Sequence, residues 1–146
     1  MLNLALRAFR SAYPECAGVD LVIDTCELER QAPSYMYDTV IDVNQRYPIE
    51  GKPLVVIGDD LVAGLPTWHR FDELKTKVSF IIVMRDSKQI SEVPDGVEAT
   101  FVENETLEVS STAIRRAISS GNRSFAASLM PRSVVDYIQR HGLYRD

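Results

Sequence analysis

The chain has 146 residues, 45% of them hydrophobic, and a formal net charge of −5, which suits a single domain with a real core and argues against a general nucleic-acid binder. No run of about 18 apolar residues occurs, so no membrane span is expected. The first ten residues are too short and too charged for a signal peptide, and Cys16 and Cys26 make neither a disulfide framework nor a metal-ligand spacing, so a reduced, cytoplasmic setting is expected.

In chain order, Leu2, Leu6, Phe9 and Tyr13 share one helical face, and Pro14 stops that helix. Residues 19–24 (Val-Asp-Leu-Val-Ile-Asp) read as a short strand, and Glu27-Leu-Glu-Arg30 as a charged, solvated connector with local ion pairs. Ser34 is placed to cap a helix whose buried stripe runs through Val40, Ile41 and Tyr47 to Pro48. Glu50-Gly-Lys-Pro53 is a turn. Leu54-Val-Val-Ile57 then ends abruptly at Gly58, as a strand buried on both faces does in a parallel sheet under helices.

Gly58, Asp59 and Asp60 follow at that strand's carboxyl end, where open parallel sheets bind ligands. An acid there can bond a ribose hydroxyl, and a glycine lets a ligand approach the backbone. Trp68 is the only tryptophan and follows Pro66 and Thr67, which should hold it on a rigid turn, Thr67 capping a short helix. Equally, Trp68 could be packing, with Asp59 and Asp60 capping a helix. Phe71 and Leu74 extend a helix, Phe80–Met84 is a second apolar strand, residues 85–96 a polar loop, and Ala99–Val102 a weaker third strand. Strands alternating with helices imply an α/β fold with parallel pairing.

Ser110, Ser111 and Thr112 stand before Ile114, Ala117 and Ile118, so a helix begins there. Its first turn offers N–H groups and hydroxyls to an anion, and Arg115 can lie over the same turn and fork two phosphate oxygens. Ordinary capping with Arg115 and Arg116 on a solvated face reads equally from these residues. Gly121 ends this helix, Phe125 and Leu129 mark a short one, and Pro131 opens the last, with Val134, Val135 and Ile138 buried and Gly142 as its stop.

Four elements occur in the order found in bacterial nicotinate-nucleotide adenylyltransferases, which the chain resembles over essentially its whole length. They are Pro33-Ser-Tyr-x-x-Asp-Thr39, Gly58-x-Asp60-Leu61, Leu65-Pro-Thr-Trp68 and Val109-Ser-Ser-Thr-x-Ile-Arg115, with Met130-Pro131 and Gly142-Leu-Tyr144 in the tail. The resemblance implies a Rossmann-like parallel sheet flanked by helices. It also implies transfer of AMP from ATP, carried with Mg²⁺, to nicotinate mononucleotide, releasing pyrophosphate in NAD synthesis. On the matching positions, Trp68 would stack on the nicotinate ring and the backbone at Tyr35 and Met36 would hold its carboxylate. Gly58 and Asp60 would contact adenosine, and Ser111, Thr112 and Arg115 the phosphates.

The chain departs from the family in two places. Met36 stands where the family usually has Thr, which weakens the expected preference for acid over amide. The family's opening Gly-x-Phe-x-Pro-x-His-x-Gly-His element has no counterpart, since His69 and His141 are the only histidines and neither lies in that pattern. The expected fold is therefore incomplete at the N-terminus by roughly 40 residues, about one βαβ unit. No catalytic residue or protein metal ligand is expected in this chain, and activity is not expected of it alone. The residues 54–57 strand should be left as an exposed edge, covered by a missing segment or by a second copy. Other readings of the same residues are a non-catalytic nucleotide-binding remnant, or a related adenylyltransferase acting on nicotinamide mononucleotide or another phosphorylated acceptor.

Overall fold

Three parallel strands, β1 (Leu54–Gly58), β2 (Ser79–Met84) and β3 (Ala99–Glu103), form one open sheet in the order β1-β2-β3. The structure is a computed structural model that describes residues 1–84, 92–104 and 110–144. Val55 pairs with Phe80 and Ile57 with Ile82, and paired residues of neighbouring strands point to one side of a sheet. Against that side lie Tyr37 and Val40 of α3 (Met36–Arg46), Val62 and Leu65 of a 3₁₀ run (Asp59–Thr67), and Phe71 and Leu74 of α4 (Phe71–Lys77), in one apolar core. Leu65, Leu74, Phe80 and Ile82 are fully enclosed, and burying each such side chain stabilises the fold by about 1.5–3 kcal/mol. This is the α/β arrangement with parallel pairing expected from the alternating pattern, and the Rossmann-like sheet that the resemblance implies.

The entry to β1 is fixed by its turn. Gly51 has φ +78°, which a side chain would resist, and Lys52 Nζ reaches Glu98 Oε2 at 3.0 Å just ahead of β3. These elements and the short α2 (Cys26–Glu29) lie within a unit of residues 25–106. A second unit comprises Met1–Asp24 with the described residues of 107–146. In it, α1 (Leu2–Ala12) packs on α7 (Arg132–Arg140), while α6 (Arg123–Leu129) meets both α7 and α5 (Ser111–Ser119). Val134, Val135 and Ile138 are buried as expected, and α7 ends at Gly142, φ 61°, with the Leu143 N–H returning to Ile138 O at 3.0 Å.

Several local expectations are corrected. Residues 19–24 form no strand, because no described strand lies beside them to take their N–H and C=O groups. β1 is not buried on both faces: Leu54 and Val56 are each 62% exposed. Only the side bearing Val55 and Ile57 meets the core, and the most enclosed of the three strands is β2. An apolar run alone does not say whether a second layer is present. α1 buries none of its residues. Ser34 does not cap α3, which begins after Tyr35 without a side-chain cap. Thr67 closes the 3₁₀ run instead of capping the next helix, while at the start of that run Asp59 Oδ1 accepts the Asp60 N–H at 3.0 Å. Of the polar loop expected at 85–96, residues 85–91 lie outside the described residues, as does Val109. No helix among the described residues is long and apolar enough to cross a membrane.

Candidate functional site

The unit that holds the sheet carries a cleft of about 490 Å³ at the carboxyl end of β1. Val56, Ile57 and Leu61 give it apolar walls, Trp68 and Tyr35 aromatic ones, and Ser34, Thr67 and Glu27 polar edges. Trp68 stands there because the 3₁₀ run that follows β1 is anchored by the buried Leu65, and the Trp68 N–H donates to Leu65 O at 3.0 Å. The Thr67 hydroxyl donates to Gly64 O at 2.7 Å, and the Phe71 N–H donates to Trp68 O at 3.1 Å. The indole meets Phe80 edge-on, centroids 6.4 Å apart. It is therefore packed against the core on one side and is a cleft wall on the other.

The turn after Trp68 is locked from behind. Arg70 takes the left-handed conformation, φ 53°. Its guanidinium lies over the Tyr37 ring at 4.1 Å and donates to Glu73 at 2.7 and 2.5 Å. The Tyr37 hydroxyl donates to the same carboxylate at 3.3 Å. Hydrogen bonds from Arg70 hold the Glu73 carboxyl below its usual range. Across the cleft mouth the His69 ring stacks on Tyr35, centroids 4.2 Å apart, and both residues line the cleft.

Tyr35 and Met36, expected to hold a carboxylate, both line this cleft at the first turn of α3. A helix's first N–H groups have no acceptor within the helix. Gly58 and Asp60 are not among its walls; Gly58 ends β1 opposite Val83, and Asp60 is exposed on the 3₁₀ run one residue further than Asp59. Arg30 was read as part of a solvated connector with local ion pairs. Its guanidinium instead pairs with Asp42 and donates to Ser34 Oγ at 2.7 Å and Thr39 Oγ1 at 3.1 Å. The bond to Asp42 pushes its already high pKa further up.

In the other unit, Ser110 caps α5 by accepting from the Ala113 N–H at 3.1 Å. Arg115 Nη2 donates to Thr112 Oγ1 at 3.4 Å, so the expected guanidinium and hydroxyl do meet over one turn. They line an open cleft of about 300 Å³ with Arg116, Ser119 and Tyr144. Ser111 begins the helix but is not one of that cleft's walls. Two guanidiniums, two hydroxyls and a phenol suit a phosphate group. Arg116 and Tyr144 were not foreseen as part of this set, since spacing alone does not say that the last turn of the chain meets α5. No grouping of three or more His, Cys, Asp or Glu side chains among the described residues could hold a metal ion.

Residues 10–117 match the family model described as cytidylyltransferase-like. A protein of Streptococcus pyogenes serotype M18, named probable nicotinate-nucleotide adenylyltransferase, is 38% identical over 125 residues, covering 86% of this chain and 57% of that protein. Proteins of the same name from Pseudomonas fluorescens and Oceanobacillus iheyensis are each 35% identical, over 93% and 84% of this chain and 73% and 61% of their own lengths. The chain thus spans roughly three-fifths of the length of the streptococcal relatives it matches, 57% of one and 63% of another.

Proposed function

Because the chain belongs to the cytidylyltransferase-like family, we propose that it serves adenylyl transfer from ATP to nicotinate mononucleotide, giving nicotinate adenine dinucleotide and pyrophosphate, in a cytoplasmic setting. The observation that carries this reading is the cleft at the end of β1, where Trp68 and Tyr35 offer two aromatic faces beside Val56 and Leu61. A flat ring of pyridine size fits apolar and aromatic walls with a few polar edges. Its carboxylate would take the N–H groups at the start of α3, near Tyr35 and Met36, where the helix dipole favours negative charge.

Gly58 and Asp60, just past the strand, would take the adenosine side, the acid bonding a ribose hydroxyl. On α5, Ser111, Thr112 and Arg115 would hold the ATP phosphates. Mg²⁺ would arrive with ATP as part of the substrate, held by the phosphates rather than by a protein ligand set. Binding and orientation are what these residues supply, with charge neutralisation by Arg115.

Nicotinate mononucleotide should quench the fluorescence of Trp68 saturably. Base–aromatic stacking is worth about 1–3 kcal/mol at analogous sites, so Trp68→Ala should weaken binding by about 5- to 150-fold. Calorimetry on the variant supplies that number without the fluorophore. Equal affinity in both proteins would remove Trp68 from the ring site.

A further inference from the structure

We infer that Arg30 is the positioning residue of the ring cleft, fixing the Ser34-Tyr35-Met36 backbone that is proposed to receive the substrate's carboxylate. This rests on the pyridine reading of the cleft and adds a residue to it. Arg30 does not line the cleft. It works from behind, through one guanidinium that serves three partners on two sides of the turn into α3.

One amino group of Arg30 donates both to Ser34 Oγ, 2.7 Å away and just before Tyr35, and to Thr39 Oγ1, 3.1 Å away in the first turns of α3. The other is paired with Asp42, one turn further along the helix. The fork is thus tied at one end to the helix and at the other to the chain that enters it. The Thr39 hydroxyl donates to Glu27 Oε1 at 2.7 Å, and Glu27 is itself a cleft wall. Two walls of the cleft, Ser34 and Glu27, are therefore held by one cation.

The need for such a clamp follows from α3 itself. No side chain caps this helix, and Ser34, the residue suited to do so, is engaged by Arg30. With no cap, the first N–H groups stay available to a ligand, and within the helix Thr39 ties down the entering chain, its N–H and hydroxyl reaching Tyr35 O at 3.1 and 3.3 Å. The Arg30 fork adds a restraint at Ser34, one residue earlier, and leaves the helix's first donors unspent. A lysine would keep the charge without the planar, multiply donating geometry.

The test compares the wild-type chain with Arg30→Lys and with the double variant Ser34→Ala/Thr39→Val, which leaves the Arg30–Asp42 pair in place. Affinities for nicotinate mononucleotide and nicotinamide mononucleotide are measured by Trp68 quenching, and amide hydrogen exchange is followed at position 39, whose N–H donates to Tyr35 O at 3.1 Å, and at position 40 in the same turn. Both variants should keep a cooperative melt, exchange these amides faster, and lose about tenfold in affinity for the acid while losing little for the amide. An equal loss for both mononucleotides, or exchange unchanged from wild type, overturns the inference. If the wild-type chain binds neither mononucleotide, the pyridine reading fails by itself, and the exchange measurement still decides whether Arg30 holds this turn.

Discussion

Ser34 and Ser110 look alike in the sequence, each a hydroxyl residue before a helical run, yet they do different work. Ser110 accepts the Ala113 N–H and caps α5; Ser34 accepts from Arg30 and leaves α3 uncapped. The difference is the neighbouring cation, four residues upstream in one case and absent in the other. Ser110→Ala should cost about 1 kcal/mol, the usual worth of an N-cap, read as a lower urea midpoint at unchanged slope. Ser34→Ala should cost less in stability, since the helix it precedes gains no cap from it. A larger loss for Ser34 than for Ser110 would reverse this assignment.

Among the elements, β1 presents an apolar sheet edge with two large exposed side chains. It pairs with β2 on one side only among the described residues, and Leu54 and Val56 are each 62% exposed. Such an edge is a template for pairing with another strand. The 146-residue chain should therefore self-associate as its concentration rises, and Val56→Lys should reduce this in sedimentation. Association unchanged by the lysine would place the contact elsewhere. Two carboxylates tie elements together and give the fold an acid limit. Glu98 is held below its usual range by Lys52 and then by Ser79, and Glu73 by Arg70. A carboxylate with a lowered folded pKa contributes stability that is fully present above its unfolded value and is lost as pH falls through the folded one. The midpoint of thermal unfolding should accordingly fall on acidification through and below the ordinary carboxylate range. Glu98→Gln should flatten part of that fall, and an unchanged profile would count the pair out.

At the scale of the whole molecule, neither histidine lies in the opening His-x-Gly-His pattern of the family the chain resembles: His69 is a cleft wall stacked on Tyr35, and His141 meets the Tyr137 ring at a tilt at the end of α7. The purified 146-residue chain should thus bind nicotinate mononucleotide without releasing pyrophosphate from ATP at an enzymatic rate. Turnover that is lost with Arg115→Ala would show that chemistry resides in these residues after all. The alternation of apolar runs and helical stripes determined by itself that this is α/β with parallel strands, because periodicity is a local property of residues. Short contiguous motifs, through the family resemblance, also named Trp68, Tyr35, Thr112 and Arg115 as candidates, and the first two line one cleft and the last two another. Only the tertiary structure decided which strand is most enclosed, that residues 19–24 pair with nothing described, and that Arg30 reaches Asp42 twelve residues on. Each of these depends on what lies across space from a segment, and the segment's own residues carry no record of that neighbour.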